Sequence, residues 1–419
     1  MNSHIPPRYC RYGVHLTMEQ VADLVAPHPD TLKLVDSWLK EHGVPSSMIS
    51  MTHGGSWLTV GGVRVSQAND LLGASYRLYR HTTANTTVLR TINYGLPGDL
   101  HAHVRTVAPT TYFGSPRTLT QTSLERPRGV ATVLSSRYGN GVVENVTPSY
   151  LRWLYKTADY VPAAASRNVL GIAGFLGDYP SPVDLTIFMN KYRAEGADAT
   201  YSVIGVHGGG YNPTYPNNPG LEASDNVQYA AAIAYPTSLI FYSTAHVPGY
   251  EDMYLNWLNY LLTRRRIPQT IFASYGAFEY DIPQELAESV CDLFAELALR
   301  GTTVIVTSGD DGVGPANCMD YNGYVHFLPN FPASCMLGMF FSAELYTIVG
   351  SSHSLIHDAL AGPWVTSVGG TTSRNPEVAA SFSGGGFSNY FLRPRYQYYA
   401  VPSFFEKLGS RHSGFYKCV

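Results

Sequence analysis

From residue 168 onward, short apolar runs alternate with longer amphipathic stretches, and this alternation constrains the fold more than any other feature of the chain. The short runs span 168–175, 201–206, 238–243, 269–274, 302–307 and 364–368. Between them, residue spacing predicts helices over 183–193, 221–234, 253–262 and 283–299. The last is the clearest, because Leu286, Val290, Leu293, Phe294, Leu297 and Ala298 recur at the intervals of one buried helical face. Asp281 is placed to cap it, Pro283 suits its first turn, and Gly301 can close its C-terminus. Ser181-Pro182-Val183-Asp184 is a start signal for an earlier helix. Uniformly apolar strands separated by helices predict an α/β domain with a doubly wound parallel sheet. Such sheets bind ligands at the carboxyl ends of their strands, where Ser274-Tyr275-Gly276 and Ser308-Gly309-Asp310-Asp311-Gly312 fall.

The first part of the chain is patterned differently. Helical spacing at 18–25 and 30–42 mixes with short strand-like runs at 57–63, 85–92 and 102–108. Residues 124–144 are rich in Arg, Gly and Ser and read as a linker. The expected organisation is an α+β domain over 1–125, a linker over 126–144 and the α/β domain over 145–419. With 45% apolar and 14% charged residues the chain can bury a large core, which excludes wholesale disorder. Its 28 Lys and Arg nearly balance 31 Asp and Glu. The nearest approach to a basic patch, Arg264-Arg265-Arg266, follows a predicted helix and suits its C-terminus, so no nucleic-acid partner is expected. No apolar run reaches the roughly 18 residues of a membrane span, and the N-terminal residues lack the apolar core of a signal peptide. Five cysteines, Cys10, Cys291, Cys318, Cys335 and Cys418, include no CxxC pair, so no metal cluster is expected.

Two carboxylates are candidates for chemistry, each with a plain structural alternative. Asp310 follows a predicted strand, but its flanking glycines equally suit a tight turn with unusual dihedrals. Glu222 falls on the first turn of the helix at 221–234, where an acid also favours the helix dipole. Asp225 and Asn226 lie three and four residues further, within reach of Glu222. Val206-His207-Gly208-Gly209-Gly210 lacks the spacing and acidic partner of a dinucleotide fingerprint, and His207 reads as a turn residue. Cys318 and Cys335 flank the Asp310 region; a disulfide and two reduced, half-buried thiols are both open readings.

A set of segments carries a family resemblance: ASRNVLGIAGFLGDYPSPVDL, EASDNVQYAAAIAYP, YLNWLNYLL, IPQTIFASYG, VTSGDDGVG, FPASC, PWVTSVGGTT and SFSGGGFSNYF. In this order they resemble the sedolisin, or serine-carboxyl peptidase, family, in particular its fungal tripeptidyl peptidases. The N-terminal RYGVHLTMEQVADLVAPHPDTLKLVDSWLKEHGV resembles that family's activation prodomain. The resemblance implies a subtilisin-like α/β domain preceded by an α+β activation prodomain. It also implies an extracellular peptidase that cuts peptide or protein substrates in acid and releases tripeptides. A Ser-Glu-Asp triad, a bound calcium ion and inhibition by its own prodomain belong to the same expectation. By motif match Glu222 takes the place of the general base and Asp310 that of the acid completing the oxyanion hole. Ser274, Tyr275 and Gly276 match the strand edge that binds the substrate backbone. A glutamate with an ordinary pKa of about 4.3 stays ionised in acid, where a histidine would be protonated. A protonated Asp310 can donate to a developing oxyanion.

Three features depart from the family pattern. Asn226 stands where the family has the triad aspartate, so it can orient Glu222 but carries no charge. Asp225, one position earlier, is rotated by about 100° around a helix. No Gly-Thr-Ser sequence, the family's nucleophile segment, occurs in the 419 residues. The serine and the calcium ligands are therefore unassigned, a C-terminally truncated domain is expected, and the 419-residue chain as written is expected to be inactive although its family is one of serine-type peptidases. FPASC and PWVTSVGGT, contiguous in the family, are separated here by 336–362, which reads as translated intron sequence or, alternatively, as a surface lid. A catalytically inactive pseudopeptidase or binding module of the same ancestry is the competing expectation.

Overall fold

The computed structural model describes residues 13–80, 87–114, 117–118, 146–212, 220–245, 253–314, 318–320, 323–335, 364–372 and 377–416. The linker expected at 126–144 and the segment 336–362 lie outside them. Thr17 opens helix α1 (Met18–Val25) through a reciprocal capping box with Gln20. Helix α2 (Pro29–Glu41) follows, then the hairpin of β1 (Ile49–Met51) with β2 (Leu58–Val60). Helix α3 (Val65–Leu72) precedes a second hairpin, β3 (Arg77–Arg80) with β4 (Thr87–Arg90). No strand forms at 102–108, contrary to expectation. A 3-10 turn at Gly98–Leu100 leads into the run, Val104 N–H bonds back to Leu100 O at 2.9 Å, and Pro109 closes it.

After strand β5 (Arg117–Thr118) and helix α4 (Pro148–Leu154) comes the α/β unit. Its elements are β6 (Val169–Gly174), α5 (Pro182–Tyr192), β7 (Tyr201–Val206), α6 (Leu221–Ala234), β8 (Ser238–Thr244), α7 (Met253–Leu262), β9 (Thr270–Ala273), β10 (Tyr275–Phe278), α8 (Gln284–Leu299), β11 (Thr303–Thr307), β12 (Asn330–Phe331) and β13 (Thr366–Val368). All six apolar runs of the sequence enter one parallel sheet, in the order β13-β11-β9-β6-β8-β7. The chain starts at β6, runs outward to β7, returns through β8 and crosses to β9, so the strand order reverses at β6. That reversal opens a crevice at the carboxyl end of the sheet.

Alternate side chains of the strands feed two cores, which is why these strands carry no polar face. On one side Ile172, Leu239 and Phe241 pack with Leu185 and Met189 of α5 and Ala223, Val227 and Ala231 of α6. On the other, Ala173, Tyr242, Ile271 and Val304 pack with Trp257 and Leu258 of α7 and Leu286, Val290 and Phe294 of α8. Ser181 caps α5, accepting from Asp184 N–H at 3.1 Å, as its start signal indicates. At α8 the expected cap is corrected. Pro283 itself holds the N-cap, with no side-chain hydrogen bond, because Asp281 is taken up in the preceding 3-10 turn Glu279–Asp281. Gly301 does close the helix, in the left-handed conformation at φ +87°.

For Cys335 neither of the two open readings holds. Cys335 bonds Cys291 of α8 rather than Cys318, because it is fully buried against that helix with the two Cα atoms 5.5 Å apart. Cys318 is a half-buried thiol. Beyond α7, Arg264 lies over the Tyr260 ring at 4.1 Å, and Arg265 reaches Glu19 of α1 at 3.6 Å. The N-terminal domain also meets α8, through Leu16 N–H to Leu299 O at 2.9 Å and Arg105 to Asp292 at 2.6 Å.

Candidate active site

Helix α6 begins with Gly220 at its N-cap, which offers no side chain. Its free backbone donors are met from outside: Asp178, on the loop after β6, accepts from Ala223 N–H through Oδ2 at 3.1 Å. This places the first turn of α6 over the crevice at β6. Glu222 and Asn226, one turn apart, both face inward at 4% and 9% exposure. Asn226 Nδ2 donates to Glu222 Oε1 at 3.1 Å and to Ser274 Oγ at 2.6 Å. Ser274 sits where the chain leaves the parallel sheet, between β9 and β10, and its side chain is buried. Asn226 therefore fills the orienting position, while Asp225 lies on the exposed side of the helix.

Burial pushes the Glu222 carboxyl up to about 7, against the lowering pull of hydrogen bonds from Ser274 and Asn226. The charges of Asp225 and Asp178 add to the rise. In this state of the chain burial thus works against the ionisation expected of Glu222 in acid. The spacing of Glu222 and Asn226 could be read from the sequence, but the depth of burial could not.

Tyr275 is fully buried against Phe175, with ring centroids 5.0 Å apart, and its carbonyl accepts from Tyr254 Oη at 2.6 Å. Strand β10 belongs to a separate antiparallel sheet, between β12 and β5. Its outer edge pairs with the chain's own residues, Tyr275 opposite Thr118 and Gly276 opposite Arg117. Asp310 lies half-buried on the loop after β11, the neighbour of β9. That loop is tied to the 381–386 segment by Gly312 N–H to Phe382 O and Gly384 N–H to Gly309 O, both at 2.8 Å. A Cβ on Gly309, whose φ is +100°, would strike the Asn330 side chain, so the loop is both a constrained turn and a strand-end site. Glu222, Asn226 and Ser274 thus form one hydrogen-bonded group, with Tyr275 and Gly276 beside it and Asp310 one strand over. His207 is an exposed turn residue, as expected.

Sequence reasoning passed over Asp178, Tyr254 and Glu279. Asp178 sits just past the carboxyl end of β6, and the strand-end rule points to it once β6 is recognised as the switch point. Glu279, 1% exposed, accepts from Ser388 Oγ and from Asn389 N–H at 2.6 Å and so anchors the SGGGFSNYF segment. Among the described residues no group of three or more His, Cys, Asp or Glu is placed to hold a metal ion, so calcium is given no ligands.

Residues 5–113 match the family model of the Pro-kumamolisin activation domain. A probable tripeptidyl-peptidase of Arthroderma benhamiae is 33% identical over 432 aligned positions, covering 98% of this chain and 66% of that protein. A tripeptidyl-peptidase of Arthroderma otae is 30% identical over 429 positions, covering 98% of this chain and 67% of that protein. The chain spans about two thirds of the length of these relatives. Among solved structures, Pseudomonas sedolisin, a serine-carboxyl proteinase complexed with pseudo-iodotyrostatin, matches over 63% of this chain and 68% of its own. That likeness has 18% identity and a TM-score of 0.40.

Proposed function

The chain belongs to the sedolisin family of serine-type peptidases and carries that family's activation domain, and from this premise we propose that the protein is an acid-acting tripeptidyl-peptidase made as a zymogen. The observation that carries the proposal is the buried Glu222–Asn226–Ser274 group at the carboxyl end of a parallel sheet. In its ionised form Glu222 is the general base, Asn226 orients it through Nδ2, and Asp310 donates to the oxyanion from the neighbouring strand end. The edge Ser274–Tyr275–Gly276 receives the substrate backbone by strand addition. In the zymogen that edge is occupied by Arg117 and Thr118, which supports inhibition of the enzyme by its own N-terminal part. Secretion and a bound calcium ion belong to the same proposal, with the ion's ligands and the nucleophilic serine unassigned.

A second reading, a peptide-binding pseudopeptidase, is favoured by one observation: the position of the triad aspartate holds Asn226, which cannot take a proton from Glu222. Protein purified from its source and incubated in mild acid with peptides bearing free N-termini separates the two. Release of tripeptides, lost in Glu222→Gln, is the expected result. Peptides that bind but stay intact give the second reading.

A further inference from the structure

We propose that Asp178 is a positioning residue for Glu222: it caps helix α6 from the loop after β6 and holds its own carboxylate beside that of Glu222. Three features of the fold converge on this role. The loop is rigid at its base, since Leu176 and Gly177 adopt φ +59° and +71° and Asp178 N–H returns to Phe175 O at 3.1 Å. Phe175 is itself 1% exposed and packed on Tyr275, so the turn is fixed to the core rather than to a mobile surface.

The helix start is shaped to receive this one side chain. Gly220 N–H bonds Tyr179 O at 3.0 Å while Asp178 Oδ2 takes Ala223 N–H at 3.1 Å, so two bonds dock the start of α6 onto the β6 loop. A Cβ built on Gly220 would fall 1.2 Å from Asp178 Oδ1, so glycine at 220 and aspartate at 178 are a matched pair. Ala223 directly follows Glu222, and the cap therefore sets where the glutamate stands over the crevice.

The third feature is charge. The titratable groups that act on Glu222 are Asp178 from the β6 loop, Tyr275 on β10 and, by charge from the outer side of α6, Asp225, with Ser274 and Asn226 supplying neutral hydrogen bonds. Tyr275 feels both Asp178 and Glu222, so the three buried or half-buried oxygens share one space. An anionic Asp178 raises the proton affinity of Glu222, and a base of higher proton affinity removes a hydroxyl proton more readily. The catalytic meaning of this role rests on Glu222 being the base; the geometry does not.

The test is a carboxyl 13C NMR titration of Glu222 in the whole 419-residue chain, its signal assigned by loss in Glu222→Gln. Asp178→Asn keeps an acceptor for Ala223 and removes the charge, and is expected to lower the Glu222 midpoint by about half a pH unit while leaving the melting temperature in acid unchanged. Asp178→Ala also removes the cap and is expected to melt several degrees lower. A Glu222 midpoint that stays in place in Asp178→Asn overturns the proposal, whether or not the alanine variant folds. Failure of the peptidase reading shows only in peptide cleavage and leaves this titration unaffected.

Discussion

Glu222 couples the site to the stability of the fold. Its pKa in the folded chain is about 7 against an ordinary 4.5, so the folded state holds a proton that the unfolded chain gives up. Stability is then complete below about 4.5 and falls as pH rises through about 7. Glu222→Gln removes that fall and is expected to exceed the parent chain in stability by about 2 kcal/mol near pH 8, with little difference near pH 4. Urea unfolding at the two pH values checks it, and parallel losses at both would show that Glu222 is not the buried acid. Asn226→Asp, which restores the family's residue, sets a second carboxyl against Glu222 Oε1, and Ser274 must then donate rather than accept. One carboxyl of that pair should titrate above the present Glu222 midpoint in the same 13C experiment. Glu222, Asn226 and Ser274 were legible because spacing and motif are properties of the sequence. Asp178 was not, because its contact with Ala223 joins residues from different strand-helix units.

At the scale of elements, the parallel sheet was legible almost strand by strand. An apolar run buried on both faces has one pattern wherever it sits, and all six runs were found. What failed were contacts decided by tertiary packing. The run at 102–108 has strand-forming residues but no partner strand, and Asp281 was drawn into a 3-10 turn before it could cap α8. Cys335 found Cys291 because α8 presents that side chain to the core, which no cysteine count reveals. This bond ties α8 to the segment after β12 across a sequence separation of 44. Closing such a loop in the unfolded chain is worth about 2–4 kcal/mol. Cys291→Ala is therefore expected to lower the melting temperature markedly, and added reductant should lower it in the parent chain but not in the variant. A reductant effect that persists in Cys291→Ala would place the responsible disulfide elsewhere.

For the whole molecule, the question is what keeps the N-terminal domain on the α/β domain. Among the described residues, the ion pairs Arg105–Asp292 and Arg265–Glu19 across the contact contribute little, since their side chains are 39% and 57% exposed in the first and 85% and 54% in the second. One buried part of the contact is Tyr112, in the core with Tyr254 and Tyr275; another surrounds the C-terminal end of α8. There Met18, Val21, Ala22 and His53 cover a small cavity whose other wall is Leu262, Glu296 and Arg300. A Cβ on Gly301 would meet the His15 ring at 2.4 Å, so Gly301→Ala should loosen docking at every pH. Glu296, 9% exposed, responds to pH instead. Burial and the charge of Asp292 push it up to about 8, and Arg300 only partly offsets them. Lifting the N-terminal domain removes one wall of the cavity and hydrates Glu296, so the docked state binds the proton more tightly than the undocked one. Docking then weakens as pH rises through about 8, a sign opposite to acid-driven release. Hydrogen exchange of α1 and of residues 299–303 should therefore quicken from pH 5 to pH 8 after correction for intrinsic rates, and Glu296→Gln should flatten that rise. A rise of equal size in the variant would mean that some other group senses pH. A fall would mean that the exposed pairs Arg105–Asp292 and Arg265–Glu19 govern docking after all.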